Sequence, residues 1–524
     1  MMDEVRQTAI KTSLLMGLFP SAVWKGDVST LPEFMTEVAD DSRKVVKGGI
    51  FIAVVGYETD GHLYLKNALD KGAALLIVDS KHIAEHPELL ETIGNAPLLL
   101  VENTRRAVSI LAAEFYRHPS RECAVHGVTG TKGKTTTVHI LADILNRAGR
   151  RCAVMGTLGV EFKGEKWKSD LTTPGPIEFQ KRMRFLADLG ATDIACEVSA
   201  HAGALSRTAS VFFRTISYMN LSRDHGDHFS DGEYLDSKLA ISQDAVKINP
   251  DVIGLANGRD PHANSFLSPV KPGNRKIFAA FEEDESVDNV HFDLTAQIKT
   301  RSHKNLNLVI KTDNWNRDVV FPLIGRFNAQ NAAAAAAIAW AVGIDPDTIA
   351  DGLAHANPVP GRLESVDLGQ GFLVVVDYAH APQPAVEVLR ALREITPGKL
   401  IGVMGAGGSR DRGKRPMIGE ILARDCDIAV ITSDNPRKEE PLEIINDIMV
   451  GVGKVKNGKA EVIVEADRKN AIGLALKKAA NGDTVAILGK GHEDYQIFSD
   501  VTIHFDDREV AREWLMSMGF NAEA

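Results

Sequence analysis

A glycine-rich segment between a predicted strand and a predicted helix has the clearest chemistry in the sequence. It reads Gly130-Thr-Lys-Gly-Lys-Thr135 and follows the apolar run Cys123–Val128. Glycines let the backbone curl so that several N–H groups point inward, and a helix N-terminus adds positive potential. Lys134 could then reach nucleotide phosphates, and the Thr135 hydroxyl could bind Mg²⁺. Because Val128 stands where the full phosphate-loop pattern has glycine, a structural turn stays open beside nucleotide binding.

Acidic and histidine side chains follow two other predicted strands. Glu197 ends the apolar run from Ile194, and Asp224-His225 follows the run Thr215–Met219. Ligands of open α/β sheets bind at the carboxyl ends of parallel strands, so we expect these groups near the phosphates. A carboxylate and an imidazole there could hold a second Mg²⁺. A hydrogen-bonded structural pair is the alternative.

The elements that must position these side chains alternate between strands and helices along the whole chain. This pattern predicts an α/β protein of three consecutive α/β domains, with a central P-loop ATPase domain and a Rossmann-like C-terminal domain. The Pro-rich segment Asn357–Gly361 is typical of a linker. Residues 280–322 are charged and short of helix, which predicts a small antiparallel excursion. We expect domain boundaries at 1–105, 106–357 and 358–524.

Composition narrows the class of protein. The formal net charge is −10, which gives no broad cationic surface for nucleic acid. The four cysteines form no C-x-x-C pair, so a disulfide framework or a thiolate zinc site is not expected. The N-terminus lacks a signal-peptide pattern, and no apolar run reaches the ~18 residues that span a bilayer. A soluble cytoplasmic enzyme that does not bind membranes is the expectation.

Nine strings in fixed order resemble the Mur ligase family. The resemblance extends from about Asp41 to Gln496, nearly the whole chain, and within the family it is nearest to the member that adds the third peptide residue to UDP-N-acetylmuramoyl-L-alanyl-D-glutamate. The strings are GVTGTKGKTTT, EVSAH, NLSRDH, LIGRFNAQN, PGRLE, VDYAHAP, GGSRDRGKRP, SDNPRKEEP and GKGHEDYQ.

The resemblance implies an ATP-dependent ligase that activates a carboxylate as an acyl phosphate and then joins it to an amine. It implies Mg²⁺ as cofactor, Lys134, Glu197, His225 and Lys238 as catalytic residues, and Thr135, Glu197, His225 and Lys238 at the metal. Lys238 matches a family lysine that is carbamylated to N6-carboxylysine. The implied ATP contacts are Gly130, Thr131, Lys132, Gly133, Lys134, Thr135, Thr136, Asn328, Asn331, Arg362, Asp377 and His380.

Two further sets of contacts are implied for the other substrates. The UDP-N-acetylmuramoyl dipeptide would meet Ser42, Tyr57, Glu58, Thr59, Thr172, Thr173, Ser199 and Arg207. The incoming amino acid would meet Arg410, Asp434, Asn435, Pro436, Arg437, Gly489 and Glu493. In the family an arginine at the fourth position of Asp434-Asn-Pro-Arg437 is associated with meso-diaminopimelate, whose distal carboxylate it pairs.

The chain departs from the family pattern at several places. Lys132 and Leu171 each stand where Asn is usual, and Pro382 and Gln383 occupy positions where the family usually has Asp. Other readings also remain open. They are the same ligation with L-lysine, a folylpolyglutamate or cyanophycin-type synthetase, and a paralogue that binds nucleotide without catalysis. A monomer is expected.

Overall fold

Helices and strands alternate along the chain in a computed structural model, which describes residues 9–56, 59–221, 231–283, 285, 291–456 and 458–521. Its contacts divide the chain into two compact units. The first comprises residues 1–279, 288–294 and 334–349, and the second comprises 280–287, 295–333 and 350–524. The predicted domain boundaries stay a prediction.

The α-helices of the described ranges have the following bounds. They are α1 Thr12–Leu18, α2 Leu65–Asp70, α3 Ser80–Glu85, α4 Thr104–Phe115, α5 Lys134–Arg147, α6 Pro176–Asp188, α7 Ala200–Ala204, α8 Asp231–Ile248, α9 Ala263–Leu267, α10 Arg326–Ala341, α11 Pro346–Ala354, α12 Pro382–Arg393, α13 Lys414–Asp425, α14 Pro441–Val452, α15 Arg468–Lys478 and α16 Asp507–Ser517. Short 3₁₀ turns lie at Val28–Thr30, Ser42–Lys44, Gly61–Tyr64, Pro87–Leu90, Pro119–Arg121 and Pro272–Asn274.

The strands of the described ranges are mostly short. They are β1 Ile10–Lys11, β2 Val23–Lys25, β3 Phe34–Met35, β4 Val38–Ala39, β5 Ile50–Ile52, β6 Leu75–Asp79, β7 Leu98–Val101, β8 Ala124–Thr129, β9 Cys152–Gly156, β10 Gly159–Phe162, β11 Glu165–Trp167, β12 Asp193–Glu197, β13 Phe213–Tyr218, β14 Ile253–Asn257, β15 Arg275–Glu282, β16 Leu294–Arg301, β17 Leu306–Lys311, β18 Asn316–Phe321, β19 Glu364–Ser365, β20 Leu373–Asp377, β21 Leu400–Met404, β22 Ile428–Ile431, β23 Glu461–Val464, β24 Thr484–Leu488, β25 Tyr495–Phe498 and β26 Val501–His504.

A parallel sheet in the first unit carries the glycine-rich loop. Its strands lie in the order β9-β12-β8-β13-β14. The register pairs Glu197 with Val128 and Tyr218 with Thr129. The carboxyl ends of three strands therefore meet beside residues 130–135, as the sequence predicted. These strands are buried on both faces, which explains their continuous apolar runs.

A second sheet of the first unit lies near the N-terminus, in the order β2-β7-β6-β5-β4. Its four strands β4 to β7 are parallel, and β2 runs antiparallel at one edge. The side chain of Asn103 caps α4 by accepting the N–H of Arg106 at 3.0 Å. The α4 residue Leu111 belongs to one apolar core that also contains Val125 and Ile194. This core therefore joins the N-terminal sheet to the phosphate-loop sheet.

The second unit contains a six-stranded sheet in the order β19-β20-β24-β21-β22-β23. All its neighbours are parallel except β19, which pairs antiparallel at the edge. Separate apolar cores cover its two faces, as expected of a doubly wound sheet. The antiparallel ladder β16-β17-β18 confirms the predicted excursion within 280–322. The predicted α/β class is thereby confirmed.

Candidate active site

The glycine-rich loop has the backbone shape that phosphate binding requires. Gly130 has φ +151°, and a side chain there would bring its Cβ within 2.7 Å of the Met219 Cβ. Gly133 has φ +85° and immediately precedes α5. Both positions demand glycine, because an L side chain would be strained or would clash. The Nζ of Lys134 donates to the carbonyls of Gly130 at 2.8 Å and Thr131 at 3.1 Å. The ammonium thus lies over the loop.

Asn220 ties this loop to the end of β13. Its Oδ1 accepts the N–H of Lys132 at 2.9 Å, and its Nδ2 donates to the Lys132 carbonyl at 3.2 Å. The Asn220 carbonyl accepts the N–H of Thr131 at 3.0 Å. Three hydrogen bonds from one residue therefore fix two consecutive loop residues.

The carboxylate of Glu197 lies beside the start of α5. It accepts the Thr135 hydroxyl at 3.0 Å on Oε2 and the N–H of Thr157 at 2.7 Å on Oε1. The Thr157 hydroxyl lies 3.2 Å from Oε2 and 3.1 Å from the Thr172 hydroxyl. A Cβ on Gly156 would lie 2.2 Å from Oε1, so only glycine leaves room for this carboxylate. Thr135 and Glu197, separated by 62 residues in sequence, are thus brought together.

Three of the predicted contacts for the dipeptide form a hydrogen-bonded set beside Glu197. The Thr173 hydroxyl donates to the Glu197 carbonyl at 2.9 Å and accepts the N–H of Ser199 at 3.0 Å. Arg207 Nη1 donates to the Thr173 carbonyl at 2.6 Å. This set joins the segment that carries Thr173 to the one that follows β12.

Lys238 lies on α8 and is fully buried. Its Nζ is 4.5 Å from the ring centroid of Tyr234, whose hydroxyl donates to the Thr131 hydroxyl at 3.3 Å. A Cβ on Gly203 of α7 would lie 1.8 Å from the Ser237 carbonyl, so α7 packs closely on α8 beside Lys238. Tyr234 therefore links the predicted metal-site lysine to the phosphate loop.

Some predicted residues lie outside the described residues. These are Tyr57, Glu58 and His225, together with Asp224. Ser42 is buried in the 3₁₀ turn that Asp41 caps, and the Thr59 hydroxyl is 3.4 Å from that of Tyr64.

Two predicted nucleotide contacts begin α10 in the second unit. The Nδ2 of Asn328 donates to the Ile324 carbonyl at 2.7 Å, and the Nδ2 of Asn331 donates to the Asn328 Oδ1 at 2.9 Å. Both side chains are buried. These two linked asparagine side chains join the first turns of α10 to the segment that precedes the helix.

Asp377 ends β20 and fixes the backbone beside Arg362. Its carboxylate accepts the N–H of Leu363 and the N–H of Ala379, both at 2.8 Å. Burial raises the pKa of Asp377, and the nearby Arg362 opposes that rise. The Arg362 guanidinium and the Asp377 carboxyl group thus lie close to each other.

The ring of Tyr378 lies between two of these predicted contacts. The Arg362 guanidinium is 5.0 Å from the ring centroid. The exposed His380 contacts the same ring, with the two centroids 4.7 Å apart. Arg362, Asp377 and His380 are therefore brought together around one aromatic side chain.

The tetrapeptide Asp434–Arg437 packs against the segment after β24. Asn435 Nδ2 donates to Glu493 Oε2 at 3.0 Å, and Asn435 Oδ1 accepts the N–H of Ile497 at 3.1 Å. Gly489 has φ +117°, and a Cβ there would lie 2.8 Å from an Asp434 carboxylate oxygen. Predicted amino-acid contacts that are far apart in the sequence therefore meet at one cluster.

Arg437 adopts a left-handed backbone conformation, with φ +53°. Its N–H donates to the Ile497 carbonyl at 3.0 Å, and its Nη1 donates to the Gly408 carbonyl at 3.1 Å. A Cβ on Gly408 would lie 1.7 Å from the carbonyl of Pro436, so this glycine lets the two turns touch. Arg410 is exposed in the same turn as Gly408.

Three family models match the chain. They are the Mur ligase family catalytic domain over residues 35–116, the Mur ligase middle domain over 128–339, and the Mur ligase glutamate ligase domain over 361–491. The chain belongs to the Mur ligase family. Because these ligases use ATP, it is an ATP-dependent ligase with three Mur ligase domains, and the predicted class and family are confirmed.

Named Mur ligases resemble the chain over most of its length. A UDP-N-acetylmuramoyl-L-alanyl-D-glutamate–2,6-diaminopimelate ligase of Syntrophomonas wolfei subsp. wolfei is 38% identical, and the match covers 91% of this chain and 94% of that one. The ligase of the same name from Solibacter usitatus is 36% identical, over 93% and 94% of the two chains. A solved structure of a ligase of that name has TM-score 0.70 and 27% identity, and covers 98% of this chain and 100% of that one.

Several residues that hydrogen-bond to the predicted site residues were not themselves among the predicted contacts. Asn220 begins the quoted string NLSRDH, but its side chain was not singled out. Thr157 lies in no quoted string, and its bond to Glu197 spans 40 residues. Lys490, inside GKGHEDYQ, donates to Glu493 Oε2 at 3.0 Å. These residues could have been found from the sequence only as polar residues that lie at a strand end or inside one of the quoted strings.

A carboxylate–histidine cluster of this Mur ligase lies outside the predicted site. Ligand atoms of Asp60, His62 and His82 lie within 4.8 Å of one another. The Nε2 of His62 accepts the N–H of Asp79 at 3.2 Å, so its Nδ1 carries the proton and donates to Asp60 at 2.7 Å. Both ring nitrogens of His62 are therefore hydrogen-bonded, and the cluster stabilises the turn after Thr59.

A cavity of about 580 Å³ in the second unit is lined by other residues than the predicted contacts, among them Leu323, Phe372 and Asn481. The predicted contacts therefore do not line this cavity.

Within the described residues, no helix has both the length and the apolar character needed to cross a membrane.

Proposed function

We propose that this Mur ligase joins meso-2,6-diaminopimelate to the D-glutamate of UDP-N-acetylmuramoyl-L-alanyl-D-glutamate, a step in peptidoglycan precursor synthesis. The observation that carries the proposal is the cluster in which Arg437 and Glu493 are joined through Asn435. A guanidinium there suits a carboxylate, and a carboxylate suits an ammonium, which are the groups of a diamino diacid. The names of the relatives at 36% and 38% identity support it.

In this proposal ATP phosphates bind to the loop at 130–136. The inward N–H groups and the start of α5 supply positive potential, and Lys134 leaves its carbonyl partners to meet the phosphates. Asn220 would hold the loop in this shape, because it binds both the N–H and the carbonyl of Lys132. The family resemblance adds further nucleotide contacts, which are Asn328, Asn331, Arg362, Asp377 and His380.

The proposed reaction has two steps. The substrate carboxylate attacks the γ-phosphorus of ATP, which releases ADP and forms an acyl phosphate. The amine of diaminopimelate then attacks the acyl carbon through a tetrahedral intermediate, the C–O bond to phosphate breaks, and the amine loses a proton. Positioning and charge stabilisation dominate the catalysis of such a sequence. Arg207, Ser199, Thr172 and Thr173 would orient the carboxylate substrate.

The residues around Glu197 fit a magnesium ion. A hydroxyl and a carboxylate are hard oxygen donors, and Thr135 Oγ1 already lies 3.0 Å from Glu197 Oε2. The ion would be held by Thr135 and Glu197, with His225 and a carboxylated Lys238 as further ligands. When bound, it would supply neutralisation of negative charge on the phosphates.

Carboxylation of Lys238 is part of the proposal because a buried ammonium does not suit a cation site. The side chain is fully buried, and it is the neutral form of an amine that reacts with carbon dioxide. We expect a carbamate signal in ¹³C NMR spectra after incubation with ¹³C-bicarbonate, absent in Lys238→Arg. Identical spectra for the two proteins would remove the modification from the proposal.

Phosphate release with each amino acid tests the proposed substrate. With ATP, Mg²⁺ and the UDP-linked dipeptide present, we expect kcat/KM for meso-diaminopimelate to exceed that for L-lysine by at least about 100-fold, because a site that pairs a charged group rejects an analogue lacking it. Equal rates would favour the lysine-adding alternative. Nucleotide binding without phosphate release under any combination would favour a paralogue without catalysis.

A further inference from the structure

The cluster formed by Asp434–Arg437, Gly489 and Glu493, here called the amino-acid pocket, contains a second cation besides its arginine. Lys490 is fully buried, and its Nζ lies 3.0 Å from Glu493 Oε2 and 3.4 Å from Asn435 Oδ1. The ring centroid of Tyr495 lies 5.3 Å from the same nitrogen. A buried ammonium is costly unless it is paired, so these contacts account for its stability in the pocket.

The hydrogen bonds from Lys490 and Asn435 both end on the same oxygen of Glu493. Asn435 Nδ2 lies 3.0 Å from Oε2, as does Lys490 Nζ. A carboxylate with one oxygen held by two donors has a fixed plane, so the direction of its other oxygen is also set. Because the Oδ1 of Asn435 accepts the N–H of Ile497, the amide cannot turn without losing that bond. Lys490 thereby locks the turn that carries Arg437 onto the turn that carries Glu493.

We propose that Lys490 is a positioning residue for the amino-acid substrate, which orients Glu493 and offsets part of its charge so that the pocket favours an acceptor with an additional carboxylate. Without Lys490 the pocket would gain a net negative charge. It would then repel the distal carboxylate of a diamino diacid and tolerate a cationic side chain better. This inference rests on the proposed function.

A double-mutant cycle tests the role through Glu493. We expect Lys490→Met to raise the KM for diaminopimelate by at least about ten-fold, with the KM for ATP changed less than about two-fold. We expect its kcat/KM preference for diaminopimelate over lysine to fall as well. On a Glu493→Gln background, Lys490→Met should add little, because the group it orients is already altered. Lys490→Arg, which keeps the cation, should recover part of the loss.

Lys469→Met is the matched control, because Lys469 forms an exposed ion pair with Glu513 at 2.7 Å. It should leave both KM values unchanged. An unchanged KM for diaminopimelate in Lys490→Met overturns the proposal, and so does an equal loss of kcat for all substrates in both backgrounds. If Lys490→Met does not fold, Lys490→Gln takes its place, since it keeps a hydrogen-bond donor without the positive charge. An unchanged KM and an unchanged preference in that variant overturn the proposal as well.

The unmutated enzyme separates this inference from the proposed function. If it uses lysine and not diaminopimelate, the proposed substrate is wrong, and the cycle is then measured with lysine. A coupling between Lys490 and Glu493 would still support the positioning role in that case. Additive effects would contradict it whichever amino acid is used.

Discussion

The phosphate loop and the amino-acid pocket differ in the chemical groups that form them. The loop is shaped by glycine conformations and by backbone groups that Asn220 holds. The pocket is made of charged side chains, with Lys490 buried against Glu493 and Arg437 bound to the Gly408 carbonyl. One region therefore presents N–H groups and one helix terminus, and the other presents paired charges.

This difference suits the two ligands. Phosphate oxygens are recognised by any convergent set of N–H groups and a cation, so a short contiguous segment is sufficient. An amino acid must be distinguished from others by its charged groups, which requires side chains of both signs at fixed positions. We therefore expect loop variants to affect all substrates alike, and pocket variants to affect one amino acid.

The largest expected effect is that of Lys134→Ala in the loop. Removing this ammonium deprives the transferring phosphoryl group of a charge-stabilising donor, which costs on the order of 100- to 1,000-fold in kcat. Phosphate release with saturating substrates measures it, and circular dichroism checks the fold. Lys132→Ala, two residues away in the same loop, is the control and should lose less than about ten-fold, because in the phosphate-loop pattern it is the lysine after the second glycine, here Lys134, that reaches the phosphates. Near-normal turnover by Lys134→Ala would remove the loop from the mechanism.

Arg437→Ala is expected to have the next largest effect, confined to the amino acid. Hydrogen bonds to charged groups contribute about 1.5–3 kcal/mol, so the KM for diaminopimelate should rise about 10- to 150-fold while ADP affinity stays unchanged. Arg412→Ala is the control, because Arg412 is exposed and its partner Glu439 is also held by Arg415. Equal losses for diaminopimelate and ATP would contradict the separation of the two regions.

Local parts of the fold could be predicted from the sequence. The apolar run before Gly130 and the helix after it are contiguous, and β8 and α5 lie where they were expected. The apolar runs at 98–101, 400–404 and 428–431 each predict a buried strand, and the structure has strands with those bounds. Such segments are set by hydrophobic pattern, which is a property of neighbouring residues.

The supports of the site could not be predicted in the same way. Asn220 reaches Lys132 across 88 residues, and Lys490 reaches Asn435 across 55. These pairs depend on which strands become neighbours, and the composition of a single segment does not determine that. The resemblance marked the strings that contain Asn220 and Lys490, but it did not indicate which atoms they bind.

Asn220→Ala is expected to have a moderate effect on the loop alone. It leaves two backbone groups of Lys132 without their partner, so we expect ADP affinity to fall about ten-fold. Asn146→Ala is a matched control, because Asn146 accepts the N–H of Cys152 at 2.8 Å and donates to its carbonyl at 3.4 Å, at the other end of α5. Calorimetric titration with ADP measures both variants. An equal fall in Asn146→Ala would mean that general destabilisation, and not the loop, is responsible.

The smallest expected effect is a pH dependence of stability that arises in the second unit. His492 lies against Tyr378, and burial lowers its pKa to about 4, with Arg362 and Arg508 adding to the shift. The unfolded chain takes up this proton near pH ~6.5 and the folded chain does so only near 4, so stability is lost as pH falls through that window. Urea unfolding at about pH 7.5 and about pH 5 should therefore show a smaller acid loss of stability in His492→Gln than in the unmutated protein.

His504→Gln is the control for this measurement, and it should act with the opposite sign. Glu509 raises the pKa of His504, so the contribution of that histidine to stability is present in acid and is lost as pH rises through the raised pKa. Its removal should therefore make the acid loss of stability larger, whereas removal of His492 should make it smaller. An unchanged acid loss in His492→Gln would show that the buried histidine does not titrate with unfolding. That result would weaken the view that paired and buried charge distinguishes this region from the phosphate loop.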